Sequence, residues 1–367
     1  MKSIVLFCLL QLSYLPLRAS DFDTLSRQAN EAREAARVTE AIGLYRQALD
    51  LRPDWDAGWF YVGTLLYSAD RNKEAVDAFA TLLKLHPKNG VAWAFKGLSL
   101  AQLGKTDEAL DALENARLFG VGDNTELVAA TRYSLGILLN KYSRFDDAHR
   151  ELVRLVNAGG EPDDLVIALG LSALLEPYLP SELPPAKREL VTKVGRAEYN
   201  AELKRFDDAS TLYAEAIAGF SQVPNLHYAY GVYLERQARP EAAEAEFLRE
   251  IAVSPSHVPA RLHLASEYIR RQDVDAALPI AKDAAEMAAG SYIARQIYGR
   301  ALLMAEDAGA AIKELEAAVQ LRPDDPTSHF QLARAYRFAG KRELADRQDT
   351  EFMRLDAARK KLAQVGQ

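Results

Sequence analysis

The side chains able to make and break bonds are present in this chain, but not at the spacings such chemistry needs. Six histidines (His86, His149, His227, His257, His263 and His329) are scattered, with no His-Glu-x-x-His run and no cysteine partner at metal-ligand spacing. The carboxylate pairs Asp146-Asp147 and Asp207-Asp208 stand where helices should start, and there negative charge favours the helix dipole. No nucleophile elbow, phosphate-binding glycine loop or dinucleotide fingerprint occurs, and no strand-rich segment exists to host one. The sequence therefore predicts no enzyme, no cofactor and no metal. A formal charge of −7 gives no electrostatic footprint for nucleic acid or anionic membrane. What remains is recognition without covalent chemistry, through aromatic and arginine side chains, and their placement depends on the elements that carry them.

Those elements repeat every 34 residues. From Asp56 to Asn89, Trp59, Val62, Gly63 and Leu66 fall at i, i+3, i+4 and i+7, one face of a helix. Ala75, Phe79 and Leu82 give a second helix its inner face, and Pro87 stops it, 34 residues after Pro53. The figure returns as Tyr230-Gly231, Leu234, Ala243, Phe247 and Pro255, and again as Tyr298-Gly299, Leu302, Ala311, Leu315 and Pro323. LRPD recurs at 51–54 and 321–324, and RFDDA at 144–148 and 205–209.

This pattern resembles the tetratricopeptide repeat, whose unit is W-x2-L-G-x2-Y…A-x3-F…P. The resemblance implies an all-α, right-handed α-solenoid of nine helix-turn-helix units, beginning near Phe22, Asp56, Gly90, Ala129, Leu190, Pro224, Val258, Tyr292 and Pro326. Gly63, Gly97, Gly136, Gly231 and Gly299 recur at one phase in mid-helix, where glycine costs ~1 kcal/mol relative to alanine. A cost repeated in register implies a steric need, the close approach of the paired helix. Ala75, Ala109, Ala148, Ala209, Ala243, Ala277, Ala311 and Ala345 fill the matching slot on the second helix. The unit at Gly90 lacks its closing proline, and the one at Val258 has Ala281 in the aromatic slot. The last unit has Asp349 in that slot and a charged second helix, as a polar terminal cap requires.

In this family the first helices line a concave face, so the resemblance implies a groove for a protein or peptide. Carried over slot by slot, it places Phe60, Thr64 and Tyr67 there, then Tyr133, Ile137 and Asn140, then Tyr228, Val232 and Glu235. Gln296 and Arg300 follow, and then Phe330, Arg334 and Arg337. Aromatics suit extended peptides and arginines suit carboxylates. Some members grip a chaperone's C-terminal carboxylate with lysine and asparagine. The matching slots here hold Ser26 and Asn30, Phe60 and Thr64, Ala94 and Leu98, with no lysine.

The first twenty residues, MKSIVLFCLLQLSYLPLRAS, follow the grammar of a signal peptide: Lys2, an apolar run from Ile4 to Leu17, and Ala19 at a cleavage point. Bulky Phe7 precedes Cys8, the single cysteine, which argues against lipid attachment. No second apolar run reaches spanning length, so the sequence predicts an exported, periplasmic or extracellular protein without a membrane span once the leader is removed. The functional expectation is a non-catalytic scaffold binding protein segments, in bacterial envelope assembly or secretion. The alternatives are an accessory subunit of an envelope glycan-processing or glycosyl-transfer complex, and a self-associating array.

One stretch breaks the period. EPYLPSELPP, 176–185, holds Pro177, Pro180, Pro184 and Pro185. It predicts a repeat whose second helix is replaced by a short loop, plugged by Tyr178 and Leu179 and kinking the array. The expected segments are 1–20 leader, 21–175 and 186–359 repeats, with 360–367 as a tail.

Overall fold

The computed structural model describes residues 14–156 and 162–365, which form helices and turns with no strand. Residues 1–13 of the expected leader lie outside the described residues, and 14–20 open the first helix. Contacts divide the chain into two compact units, residues 1–159 with 177–181, and 160–176 with 182–367.

The first unit stacks four antiparallel pairs: α1 (Tyr14–Glu34) with α2 (Val38–Leu51), α3 (Asp56–Ser68) with α4 (Asn72–Leu85), α5 (Gly90–Gln102) with α6 (Thr106–Phe119), and α7 (Thr125–Lys141) with α8 (Phe145–Val153). The second opens with the lone α9 (Asp163–Ala173) and continues with α10 (Pro185–Glu202) and α11 (Phe206–Phe220), α12 (Leu226–Arg236) and α13 (Pro240–Val253). It ends with α14 (Val258–Arg271) and α15 (Val274–Met287), α16 (Tyr292–Met304) and α17 (Ala308–Leu321), α18 (Pro326–Phe338) and α19 (Arg342–Val365). Each unit is thus an α-solenoid of helical hairpins. The expected C-terminal tail is not separate, because α19 runs on to Val365.

The glycine slots have the cause the sequence implied. A Cβ added to Gly63 would lie 2.7 Å from the Phe79 ring, one on Gly97 2.7 Å from Leu113, and one on Gly136 2.7 Å from Leu152. On Gly231 and Gly299 it would lie 2.6 Å from Phe247 and Leu315. In every case the large partner sits sixteen residues downstream. The eight alanines of the second helices are 0–1% exposed, and they sit where the two backbones draw together.

Two further devices recur in register. Each first helix ends in a residue at positive φ, and only Gly104 and Gly340 are glycine; Ala36, Asp70, Ser143, Leu175, Lys204, Ala238, Gln272 and Glu306 adopt 52° to 61°. The next amide then reaches back five residues, as from Arg71 to the Leu66 carbonyl at 2.9 Å, closing the helix. Near the start of first helices, a side-chain N–H donates to the carbonyl six residues earlier. Trp59 and Trp93 bond Pro53 and Pro87 at 2.8 Å, Arg295 bonds Ala289 at 2.9 Å, and His227 and His329 bond Ser221 and Pro323 at 3.1 and 2.9 Å. Two of the histidines that look scattered in the sequence therefore occupy the tryptophan slot.

The interrupted repeat follows from the same rules. Leu175 makes the usual turn, with the Glu176 amide on the Leu171 carbonyl at 2.9 Å. Pro177 at a helix start would be tolerated, as Pro240 is at the start of α13. Pro180 occupies the position that alanine fills in other units, five residues after the left-handed turn residue. There the amide must donate the first helical bond, as Ala243 does to Arg239 at 3.0 Å, and proline has no such donor. A short 3₁₀ turn at Pro180–Glu182 forms instead, and Leu179 packs against the core cluster that includes Leu98, Leu113 and Leu139.

The division between units differs from the expected break at 176–185, because α9 belongs with α10. A Cβ on Gly170 would meet the Val191 carbonyl at 2.0 Å, and one on Gly195 the Val166 carbonyl at 1.9 Å. The two helices touch backbone to backbone, glycine facing glycine.

These contacts rank the glycines. Gly43→Ala, with nothing within 4 Å of the new methyl, should stabilise by up to ~1 kcal/mol. Gly231→Ala should lose roughly 1–3 kcal/mol, because the Phe247 ring must shift. Gly170→Ala should lose at least as much, its obstacle being a carbonyl that cannot rotate away. Urea midpoints at constant slope decide it, and equal shifts for Gly43→Ala and Gly231→Ala would remove the steric explanation.

Candidate functional site

The groove positions carried over from the repeat pattern divide by burial. In the first unit, Phe60 and Tyr67 are half-buried around Phe95, at ring separations of 6.4 and 5.3 Å, and Phe95 itself stacks on Phe79 at 5.5 Å. Burial, and secondarily the Asp70 carboxylate, push the Tyr67 phenol up. The Thr64 hydroxyl donates within its own helix, to the Phe60 and Tyr61 carbonyls at 3.1 Å. Tyr133 is half-buried, whereas Asn140 is fully buried and presents nothing to an open face.

In the second unit, Tyr228 is 8% exposed, with its ring 4.9 Å from His257, 5.6 Å from His263 and 6.0 Å from Phe247. The first helix of the following pair, α14, closes over it, so it is core. Glu235 pairs with His263 at 2.6 Å. Gln296, also buried, donates to Asp325 and Ser328 at 3.0 Å and ties α16 to the start of α18. Arg337 is spent on Asp349, while Phe330 is exposed and contacts Phe352 at 5.4 Å. Asn140, Tyr228 and Gln296 therefore do not line a groove: Asn140 is fully buried, and the following first helix covers the other two.

Arg300 and Arg334 behave differently. They occupy the same slot in successive units, 34 residues apart, on α16 and α18. Both border a pocket of about 420 Å³ whose apolar wall is Ile269, Val274, Leu303 and Met304. Arg300 is half-buried, and among the described residues no carboxylate pairs with it. Burial, and then the facing Arg334 guanidinium, pull its pKa below the usual arginine range, yet it stays charged at neutral pH. Among the described residues, Arg334 donates to the neutral Gln331, at 3.0 Å, and to no carboxylate.

Three other partly covered arginines are neutralised by carboxylates, while the buried Arg261 donates to the His257 carbonyl at 3.2 Å. Arg295 pairs with Glu314 at 2.6 Å, Arg144 with Glu114 at 2.6 Å, and Arg236 with the buried Glu198, whose other oxygen takes the Tyr213 hydroxyl. The acids beside the pocket are committed elsewhere: Asp273 and Asp307 cap α15 and α17 through Ala276 and Ala310, at 3.1 and 2.9 Å. A desolvated cation facing a like charge and an apolar wall is an arrangement for receiving an anion attached to an apolar group. Among the described residues, no group of three or more His, Cys, Asp or Glu could hold a metal, and no helix is long and apolar enough to cross a membrane.

The sequence pattern supplies both arginines but not the wall. Ile269 lies at the end of a first helix and Val274 at the start of a second, outside the slots that define the face.

A sequence profile of the tetratricopeptide repeat matches residues 26–89, 63–120, 195–257 and 262–326, together more than half the chain. Among solved structures, MamA 41-end from Desulfovibrio magneticus RS-1 is 18% identical, covering 46% of this chain and 96% of its own at a TM-score of 0.43. A MamA RS-1 ArsTM double mutant is 18% identical over 47% and 96% at 0.43, and MamA AMB-1 P212121 is 21% identical over 45% and 98% at 0.40. No curated protein matches the chain.

Two arginines test the electrostatic contrast. Arg236→Met strips the buried Glu198 of its cation and should cost about 3 kcal/mol. Arg300→Met removes an unpaired, desolvated charge and should be neutral or stabilising by roughly 1 kcal/mol. Comparable losses for both, by urea denaturation, would mean that Arg300 is a satisfied structural cation.

Proposed function

Because the chain belongs to the tetratricopeptide repeat family, whose stacked helices serve as scaffolds for protein interaction, we propose that it is an exported scaffold that holds segments of partner proteins against its first helices. One observation carries the reading: Arg300 and Arg334, left without carboxylates beside an apolar pocket, form a recognition surface that folding does not need. The half-buried aromatics Phe60 and Tyr67 offer further contact area in the first unit. Export rests on the leader grammar of residues 1–20, and a place in envelope assembly or secretion follows from export. Nothing in the fold favours an accessory role in a glycan-processing complex or self-association over this reading.

Two measurements test it. Mass spectrometry of the chain recovered from the envelope fraction should give a mature form beginning at Ser20 or Asp21, at the end of the leader; an intact Met1 form retained in the cytoplasm would overturn export. Cross-linking followed by affinity recovery from that fraction should return partners with the wild-type chain that are depleted severalfold with Phe60→Ala/Tyr67→Ala or Arg300→Gln/Arg334→Gln. Equal recovery by wild type and both variants would remove the first-helix face as the binding surface.

A further inference from the structure

The chemistry of the Arg300 pocket narrows what the scaffold can hold. Its cationic edge is two guanidiniums from one slot of successive repeats, and its wall is four aliphatic or thioether side chains, Ile269, Val274, Leu303 and Met304. Gln272 is the other polar group on the lining, and no lysine, serine or threonine joins it. Two guanidinium forks, with the Gln272 amide as the one further side-chain donor on the lining, match a planar carboxylate better than a phosphate, whose three terminal oxygens call for more donors. The wall would stay wet and unsatisfied under a bare anion, so the occupant must carry an aliphatic group next to its charge. The pocket also draws on α14, α16 and α18, three consecutive first helices, and a segment lying across three helices runs extended past it.

We infer that this pocket takes an internal acidic side chain of an extended protein segment, with its carboxylate between Arg300 and Arg334 and an adjacent aliphatic residue against Ile269, Val274, Leu303 and Met304. The inference rests on the scaffold reading and names the class of segment held. The occupant supplies the negative charge that the fold withholds: it removes the repulsion between the two guanidiniums and covers the apolar wall. The nearby acids are otherwise engaged: Glu267 is committed to Arg270 and Arg271 at 2.6 Å and Asp325 to the start of α18.

Short random peptides serve as the probe, displayed in two formats, enclosed within a scaffold loop or ending in a free C-terminus. Both libraries are panned against the full chain and against Arg300→Gln/Arg334→Gln, whose folding is checked by its urea midpoint. The loop library should enrich Asp or Glu next to Leu, Ile, Val or Met about tenfold on wild type, a difference in affinity of one decade, and not on the variant. Excess inorganic phosphate should leave that enrichment in place. Enrichment confined to the free-C-terminus library would assign the pocket to a chain-terminal carboxylate and overturn the inference. Acidic enrichment without the aliphatic neighbour, abolished by phosphate, would reduce the pocket to a general anion site. Equal enrichment on both proteins, with acid-free motifs, would overturn the inference while leaving the scaffold reading intact. If neither library enriches and no partner is recovered from the envelope fraction, both readings fall together.

Discussion

In five helix pairs a glycine on the first helix faces a phenylalanine or leucine sixteen residues later, with no room for a methyl group between them. That contact fixes how far one helix is rotated and slid against the other. With the pairing fixed, the connecting turn has to reverse the chain within a few residues. The left-handed residue ending each first helix does this, even where the residue is alanine, lysine or glutamine and pays strain for it. The carbonyl left over in the turn between pairs is then met by a side-chain N–H from tryptophan, histidine or arginine, whichever occupies the slot. Chemically unlike residues are interchangeable here because the slot asks only for one donor at one reach.

The same constraint places the candidate site. Once the pairs are locked in register, residues 34 apart stand on the same face of adjacent first helices, so Arg300 and Arg334 are neighbours by construction. Elsewhere in the second unit the repeat brings opposite charges together, as Arg236 meets Glu202 at 3.3 Å from exactly one period away, along with Glu198. Like charges stacked by a repeat are a cost that packing does not require. The partial burial of Arg300 makes that cost larger, since solvent screens it less than a fully exposed charge.

Much of the fold was legible because period, small-residue slots and terminators coincide: nine helix pairs and the interrupted repeat can be counted in the sequence. The partner of α9 could not be. Gly170 falls in the ordinary glycine slot, and nothing in the spacing shows that Gly195, which lies off the sixteen-residue relation, is reserved for it. The unit to which α9 belongs turns on that backbone contact rather than on the proline cluster. The role of two histidines is hidden from the sequence for a related reason. His227 and His329 stand three periods apart, but their equivalence to Trp59 and Trp93 depends on the donated N–H, which residue type conceals.

The site residues were legible only to the level of a helix face. Periodicity gives the direction of a side chain from its own helix; whether it meets solvent depends on what the next pair lays over it. Tyr228 is covered by His257 and His263 from the following repeat, and Gln296 by the Asp325–Ser328 turn, which the pattern of their own helices does not encode. Arg300 escapes this fate because the side chain one period on is another arginine, which cannot pack over it without a counter-charge. The mutual repulsion that makes the pair costly thus also keeps the pocket from being filled by the protein's own side chains. An uncovered slot beside slots that the following repeat closes, as at Tyr228, is where a segment from outside the chain can complete the packing.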